Sequence, residues 1–133
     1  MSRPQTPAER FATVRVARLA TAGPDGAPHL VPIVFALVGD VIHTAVDGKP
    51  KRTRRLRRLA NIAANPRVSV LADHYEDDWS RLWWVRADGV ARILDDSPAG
   101  LAALAERYPQ YRETPPPGPF LEITVDRWTG WQP

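Results

Sequence analysis

The chain has 133 residues, no cysteine, 18 Lys and Arg against 15 Asp and Glu, and a formal net charge of +3. That length suits one domain, expected to span residues 1–133, and the lack of cysteine excludes thiol catalysis, thiolate zinc sites and a disulfide framework. No apolar run approaches the roughly 20 residues of a membrane helix, and the opening MSRPQTPAER has no apolar signal core, so a soluble cytoplasmic protein without a membrane partner is expected.

In chain order, Thr6-Pro7-Ala8-Glu9 predicts a short helix: Thr6 caps, Pro7 takes the first helical position and Glu9 closes a capping box. Arg15 to Thr21 reads as the first strand, followed by a turn over Ala22-Gly23-Pro24-Asp25-Gly26. Pro28 to Val38 is a second strand, apolar on both alternating sets and so expected to be buried on both faces. Pro32 lacks a backbone donor, which puts that part of the strand at an edge, a bulge or a ligand. Gly39-Asp40 is a tight hairpin into a third strand, Val41 to Val46.

The most unusual stretch follows. Lys49, Lys51, Arg52, Arg54, Arg55, Arg57 and Arg58 put seven cations into ten residues, leaving 11 basic against 15 acidic residues elsewhere, net −4. A near-balanced body with one cationic patch points to a local anionic ligand more than to a nucleic-acid coat. The run enters an amphipathic helix that stops at Asn65-Pro66. Leu56, Leu59, Ala60 and Ala63 form its expected apolar stripe, and Lys51, Arg55 and Arg58 form a row beside it. Guanidinium groups so placed suit phosphate or carboxylate. A solvated basic face is the plainer alternative and the commoner fate of charge runs.

Arg67 to Asp73 is a fourth strand, and His74 to Ser80 an acidic loop, solvated or salt-bridged to the basic helix. Leu82 to Leu94 is a long strand whose Asp88-Gly89 is read as a bulge in preference to a hairpin turn. Ser97-Pro98 opens a helix with a Leu101, Leu104, Ala105, Tyr108 stripe, ended by Pro109. Glu113 to Pro119 is an extended linker, and Leu121 to Asp126 a half-exposed last strand. The expected fold is mostly β: a six-stranded antiparallel barrel, closed or partly closed, with short helices.

Other constellations carry less. The adjacent rings of Trp83 and Trp84 must point to opposite faces, and the five tryptophans suit core and interface better than a ring-stacking wall. His29, His43 and His74 lack metal-ligand spacing, so no metal site is expected. No serine has a hydrolase context, and no strand–glycine–helix order marks a dinucleotide site. Only Pro50, Thr53 and Leu56 interleave the cations, which disfavours nucleic acid.

Several segments together carry a resemblance. They are Arg18-Leu19-Ala20-Thr21, Asp25-Gly26, Pro28-His29-Leu30-Val31-Pro32-Ile33, the basic helix ending Asn61-Ile62, Asn65-Pro66-Arg67-Val68-Ser69-Val70 and Trp84-Val85-Arg86. In these the chain resembles the FMN-binding split β-barrel superfamily of pyridoxamine 5′-phosphate oxidase. The blocks Thr44 to Lys51, Asp77-Asp78-Trp79 and Leu82-Trp83-Trp84 are similar to an actinobacterial subfamily of oxidoreductases using the deazaflavin coenzyme F420. The resemblance implies a homodimer with cofactor sites at the subunit interface. It also implies hydride transfer between F420 and an unidentified small organic substrate. An FMN enzyme of pyridoxamine phosphate oxidase type, or a non-catalytic F420 or flavin carrier, is the alternative. Cofactor contacts are expected from Lys49, Lys51, Arg52, Arg55 and Arg58, with Thr44 and Pro32; no catalytic side chain is assigned. The helix is about two turns longer than the commonest family pattern, so the phosphate-binding position corresponds to Lys51 or to Arg58, with Lys51 preferred.

Overall fold

The computed structural model describes residues 3–46 and 52–133, with residues 52–56 described by backbone alone. Its elements are α1 (Pro7–Phe11), β1 (Ala17–Ala22), β2 (Pro28–Ile33), β3 (Ala36–Val38), β4 (Val41–Ala45), α2 (Arg52–Ala64), β5 (Arg67–His74), a 3₁₀ turn (Trp79–Arg81), β6 (Trp83–Leu94), α3 (Pro98–Arg107), α4 (Pro109–Glu113) and β7 (Phe120–Trp131). The strands form one sheet in the order β2-β1-β5-β6-β7-β4-β3, every neighbouring pair antiparallel. The first and last strands of that order are consecutive in the chain, separated by Val34 and Phe35 alone. The sheet therefore has to curl until its two edges approach, which makes it a split barrel.

Among the described residues there are seven strands rather than the expected six, because the segment from Pro28 to Val38 breaks at Val34-Phe35. The backbone groups there are taken by side chains instead of a ladder. Phe35 N–H donates to the Tyr108 hydroxyl at 3.0 Å, and its carbonyl accepts from Arg107 Nη1 at 2.7 Å. The Val34 carbonyl accepts from Thr44 Oγ1 at 2.7 Å. Nor is the segment buried on both faces: β2 is an edge strand with Leu30 66% exposed. Pro32 does lie on that edge, where its missing donor breaks no central ladder.

Phe11, Leu19, Phe35, Ile42, Val70, Val85, Leu121 and Ile123 fill the barrel, each fully or almost fully buried. A second cluster of Ala36, Leu104, Tyr108 and Phe120 seats α3 against β3 and β4. The β6–β7 ladder shifts register at Asp88/Gly89, the bulge that the Asp-Gly pair implies. A Cβ on Gly89 would stand 2.3 Å from the Thr124 carbonyl oxygen, so glycine alone fits there. Beyond the bulge the ladder runs on to Trp84↔Trp131, which carries the last strand well past the expected end at Asp126.

Local start signals act as chemistry suggests. Thr6 and Glu9 exchange both capping-box bonds, and Ser97 Oγ accepts from Gly100 N–H. Pro109 ends α3 but also opens α4, so the non-helical linker begins at Thr114, one residue later than expected. The acidic loop is largely exposed, and among the described residues Glu76 meets His74 and Arg81 while Asp78 caps the 3₁₀ turn through Ser80. No helix among the described residues is long and apolar enough to cross a membrane.

Candidate functional site

The site begins with how α2 is seated. Its inward residues from Arg58 onward are Arg58 and Leu59, half-buried, and Asn61 and Ile62, buried at 6% and 3%. Ala60 and Ala63 are exposed. The leucine–alanine stripe expected from spacing is thus rotated by about one residue, or about 100° of helix. The cause is polar. Asn61 Nδ2 donates to Thr21 Oγ1 at 3.0 Å inside the protein, and only a helix turned to bring Asn61 inward can make that bond. Asn65 ends the helix, its Oδ1 accepting from Arg67 N–H at 3.1 Å.

The rotation brings Arg58 onto the buried edge instead of beside it. There it lines a cleft of about 280 Å³ with Val16, Pro32, Ile33, Val34, Thr44 and Tyr111. Of the residues expected to contact cofactor, Pro32, Thr44 and Arg58 share this one cleft. Lys49 and Lys51 lie outside the described residues, as do the side chains of Arg52 and Arg55. Thr44 is 2% exposed and donates its hydroxyl to Val34, so it holds the wall together more than it offers a donor.

The cleft is asymmetric. Aliphatic side chains, a proline, Thr44 and Tyr111 make its walls, and among the described residues Arg58 brings a guanidinium from α2. His29, half-buried on β2, lies within the same field. Burial first, then the charges of Arg57 and Arg58, hold its imidazole below the ordinary value of 6.5. Such an arrangement suits a flat apolar body with an anionic end.

Three lining residues had no sequence signal. Val16, Val34 and Tyr111 come from the approach to β1, from the strand break and from α4. Tyr111 depends on Pro109 starting a helix as well as ending one. Conversely, no tryptophan lines this cleft. Trp83 and Trp128 pack on the barrel core, the latter edge-on to Phe11 at 5.3 Å, while Trp84 and Trp131 pair on the outer side. Among the described residues, no group of three or more His, Asp or Glu could hold a metal ion.

The family model for pyridoxamine 5′-phosphate oxidase matches residues 5–132, nearly the whole barrel just described. The chain belongs to that family. Its fold recurs in several solved structures. A conserved hypothetical protein from Mycobacterium tuberculosis is 28% identical, with 94% of this chain and 81% of that one covered, at a TM-score of 0.68. An FAD-binding protein from Mesorhizobium loti is 24% identical over 90% of this chain and 87% of its own, at 0.67. The heme storage protein of Vibrio cholerae is 16% identical over 92% of this chain and 89% of its own, at 0.70. At such identities the last two share the fold alone, and one is an FAD-binding protein while the other stores heme. No curated protein matches the chain.

Proposed function

We propose that the Arg58 cleft receives the phosphate-bearing end of a flat redox cofactor and that the protein is an F420-dependent oxidoreductase acting on a small organic substrate. One observation carries this: Arg58, half-buried on α2, lines the same cleft as Pro32, Thr44 and several apolar side chains. When bound, the deazaflavin supplies the hydride chemistry. The chain's own residues bind and orient. Arg58 supplies a fork of donors for phosphate oxygens, while Pro32, Val34 and Tyr111 keep water from the flat body.

The preference for deazaflavin rests on charge. Seven cations within Lys49 to Arg58 exceed what the single phosphate of FMN needs, whereas the phosphodiester and glutamate tail of F420 offer several anionic groups. Membership in the pyridoxamine phosphate oxidase family favours FMN as the second reading, with a non-catalytic F420 or flavin carrier behind it.

Two features support a homodimer as part of this reading. The cleft opens at the β2 edge of the sheet, where Pro32 and Ile33 line it and a second copy could add a wall. The outer face of β2, β1, β5 and β6 also leaves Leu30, Leu71 and Tyr75 exposed around Arg18, Asp73 and Arg86. A second copy would cover that apolar patch and complete the cleft.

Equilibrium titration with F420 and with FMN, followed by absorption and fluorescence, tests the reading. Arg58→Ala should weaken binding by about 1–3 kcal/mol. FMN binding as tightly as F420 would overturn the deazaflavin assignment. Wild-type affinity in Arg58→Ala, with a large loss in Lys51→Ala, would move the phosphate two turns back along the basic stretch.

A further inference from the structure

We propose, resting on the cofactor reading above, that Arg107 and Tyr108 are positioning residues for the Arg58 cleft: from outside it, they fix the spacing of two of its walls. Tyr108 is the C-cap of α3, 9% exposed, with its hydroxyl at the break between β2 and β3. The hydroxyl accepts from Phe35 N–H at 3.0 Å and shares its proton between the carbonyls of Phe35 and Arg15, at 2.8 and 2.9 Å. Arg107 donates to Phe35 O at 2.7 Å, to Ala12 O at 2.9 Å and to Val14 O. Its guanidinium also stacks over the Phe35 ring at 4.8 Å and the Tyr108 ring at 5.4 Å.

The carbonyls so gathered belong to the approach to β1 and to the strand break, outside the ladders. The break feeds one cleft wall directly. Val34 precedes Phe35, its side chain lines the cleft, and its carbonyl is held by Thr44, another lining residue. A second wall is fed from the same point. Tyr111, three residues on, meets the Tyr108 ring edge-on at 6.1 Å and lines the cleft as well. A displacement of the Tyr108 hydroxyl is therefore passed to Val34 through Phe35 and to Tyr111 through the ring contact.

A phenylalanine would fill the same apolar space. It would lack the hydroxyl that, together with Arg107, fixes where the Phe35 backbone stops. If Tyr108 were core filling alone, its loss would lower stability and leave the cleft's affinity untouched.

The test is Tyr108→Phe in the full chain, measured by thermal unfolding and by equilibrium titration with F420 and FMN, with the absorption band of the bound ring recorded. Binding of whichever cofactor the wild type takes should weaken about tenfold, with a displaced band, in a protein that still unfolds cooperatively. Val70→Ala, which opens the barrel core away from the cleft, serves as the control for lost stability. If Val70→Ala and Tyr108→Phe bind with equal affinity, the positioning role is overturned. Should Tyr108→Phe fail to fold, Arg107→Lys, which keeps the charge but loses the fork, should weaken binding in the same manner; unchanged affinity there would overturn the role equally. A wild type that binds neither cofactor overturns the cofactor reading and the positioning with it; Arg58→Ala binding as tightly as wild type takes the phosphate out of this cleft and overturns the positioning, whichever cation then holds it. Loss in Arg58→Ala without loss in Tyr108→Phe or Arg107→Lys overturns the positioning alone.

Discussion

Two helices lean on the same barrel and are held by opposite means. The ten-residue α3 buries Leu104 completely and ends in Arg107 and Tyr108, which bond four backbone positions on two other segments. The thirteen-residue α2, from Arg58 onward, buries one aliphatic side chain, Ile62, and one amide, Asn61. The difference separates two jobs. One helix is fixed so firmly that cleft walls can be referenced to it. The other, among its described side chains, rests on Ile62, the half-buried Leu59 and the Asn61–Thr21 bond, and it places Arg58 in the lining of the cleft.

The largest effect expected from this contrast is on stability. Leu104→Ala should cost about 2–5 kcal/mol, the loss of a fully buried leucine plus its cavity. Leu59→Ala, on the half-buried side of α2, should cost about 1 kcal/mol on the transfer scale for partial burial. Denaturant unfolding of both variants measures the gap. Equal losses would mean that α2 is seated as tightly as α3, and the proposed division of labour would go.

Asn61→Ala comes next, at about 1–3 kcal/mol, because it strips the 4% exposed Thr21 hydroxyl of its amide partner. This substitution also addresses the rotation of α2. Without Asn61 the inward preference of Arg58 is weaker, so cofactor affinity should fall along with stability. Asn61→Ala with full affinity would show that Ile62 alone sets the helix face.

What could be read in the sequence divides along the same line. Signals that act within a few residues were legible: the Thr6–Glu9 box, the Asp88-Gly89 bulge and the Ser97 cap all form as their local chemistry dictates. The strand break at Val34-Phe35 was not, since the groups that make it, Arg107 and Tyr108, lie 72 and 73 residues away. The helix face failed for a related reason. Spacing ranks leucine and alanine above asparagine, and only the position of Thr21 across the barrel shows why Asn61 turns inward. Pro32 and Arg58 stood out by their own chemistry and Thr44 by a family resemblance, and all three line the cleft, whereas Tyr111 and Val34 needed the two features that spacing missed.

The smallest effect expected lies where the field of α2 reaches the sheet edge. His29 sits on β2 with its imidazole pushed below 6.5 by burial, then by Arg57 and Arg58. The unfolded chain takes up that proton near the ordinary value while the folded chain resists it. The unfolded state then binds more protons, so stability should decline as pH falls through 6.5, until the folded imidazole is itself protonated. His29→Gln should flatten that part of the stability–pH curve. The same coupling reports on the cleft, because an anion bound at Arg58 cancels part of the field and should raise the midpoint of His29. Titrating the His29 ring protons by NMR, with and without saturating cofactor, reads this directly. An unmoved midpoint would mean that the bound phosphate lies elsewhere along the basic stretch, beyond the reach of the charge that His29 senses.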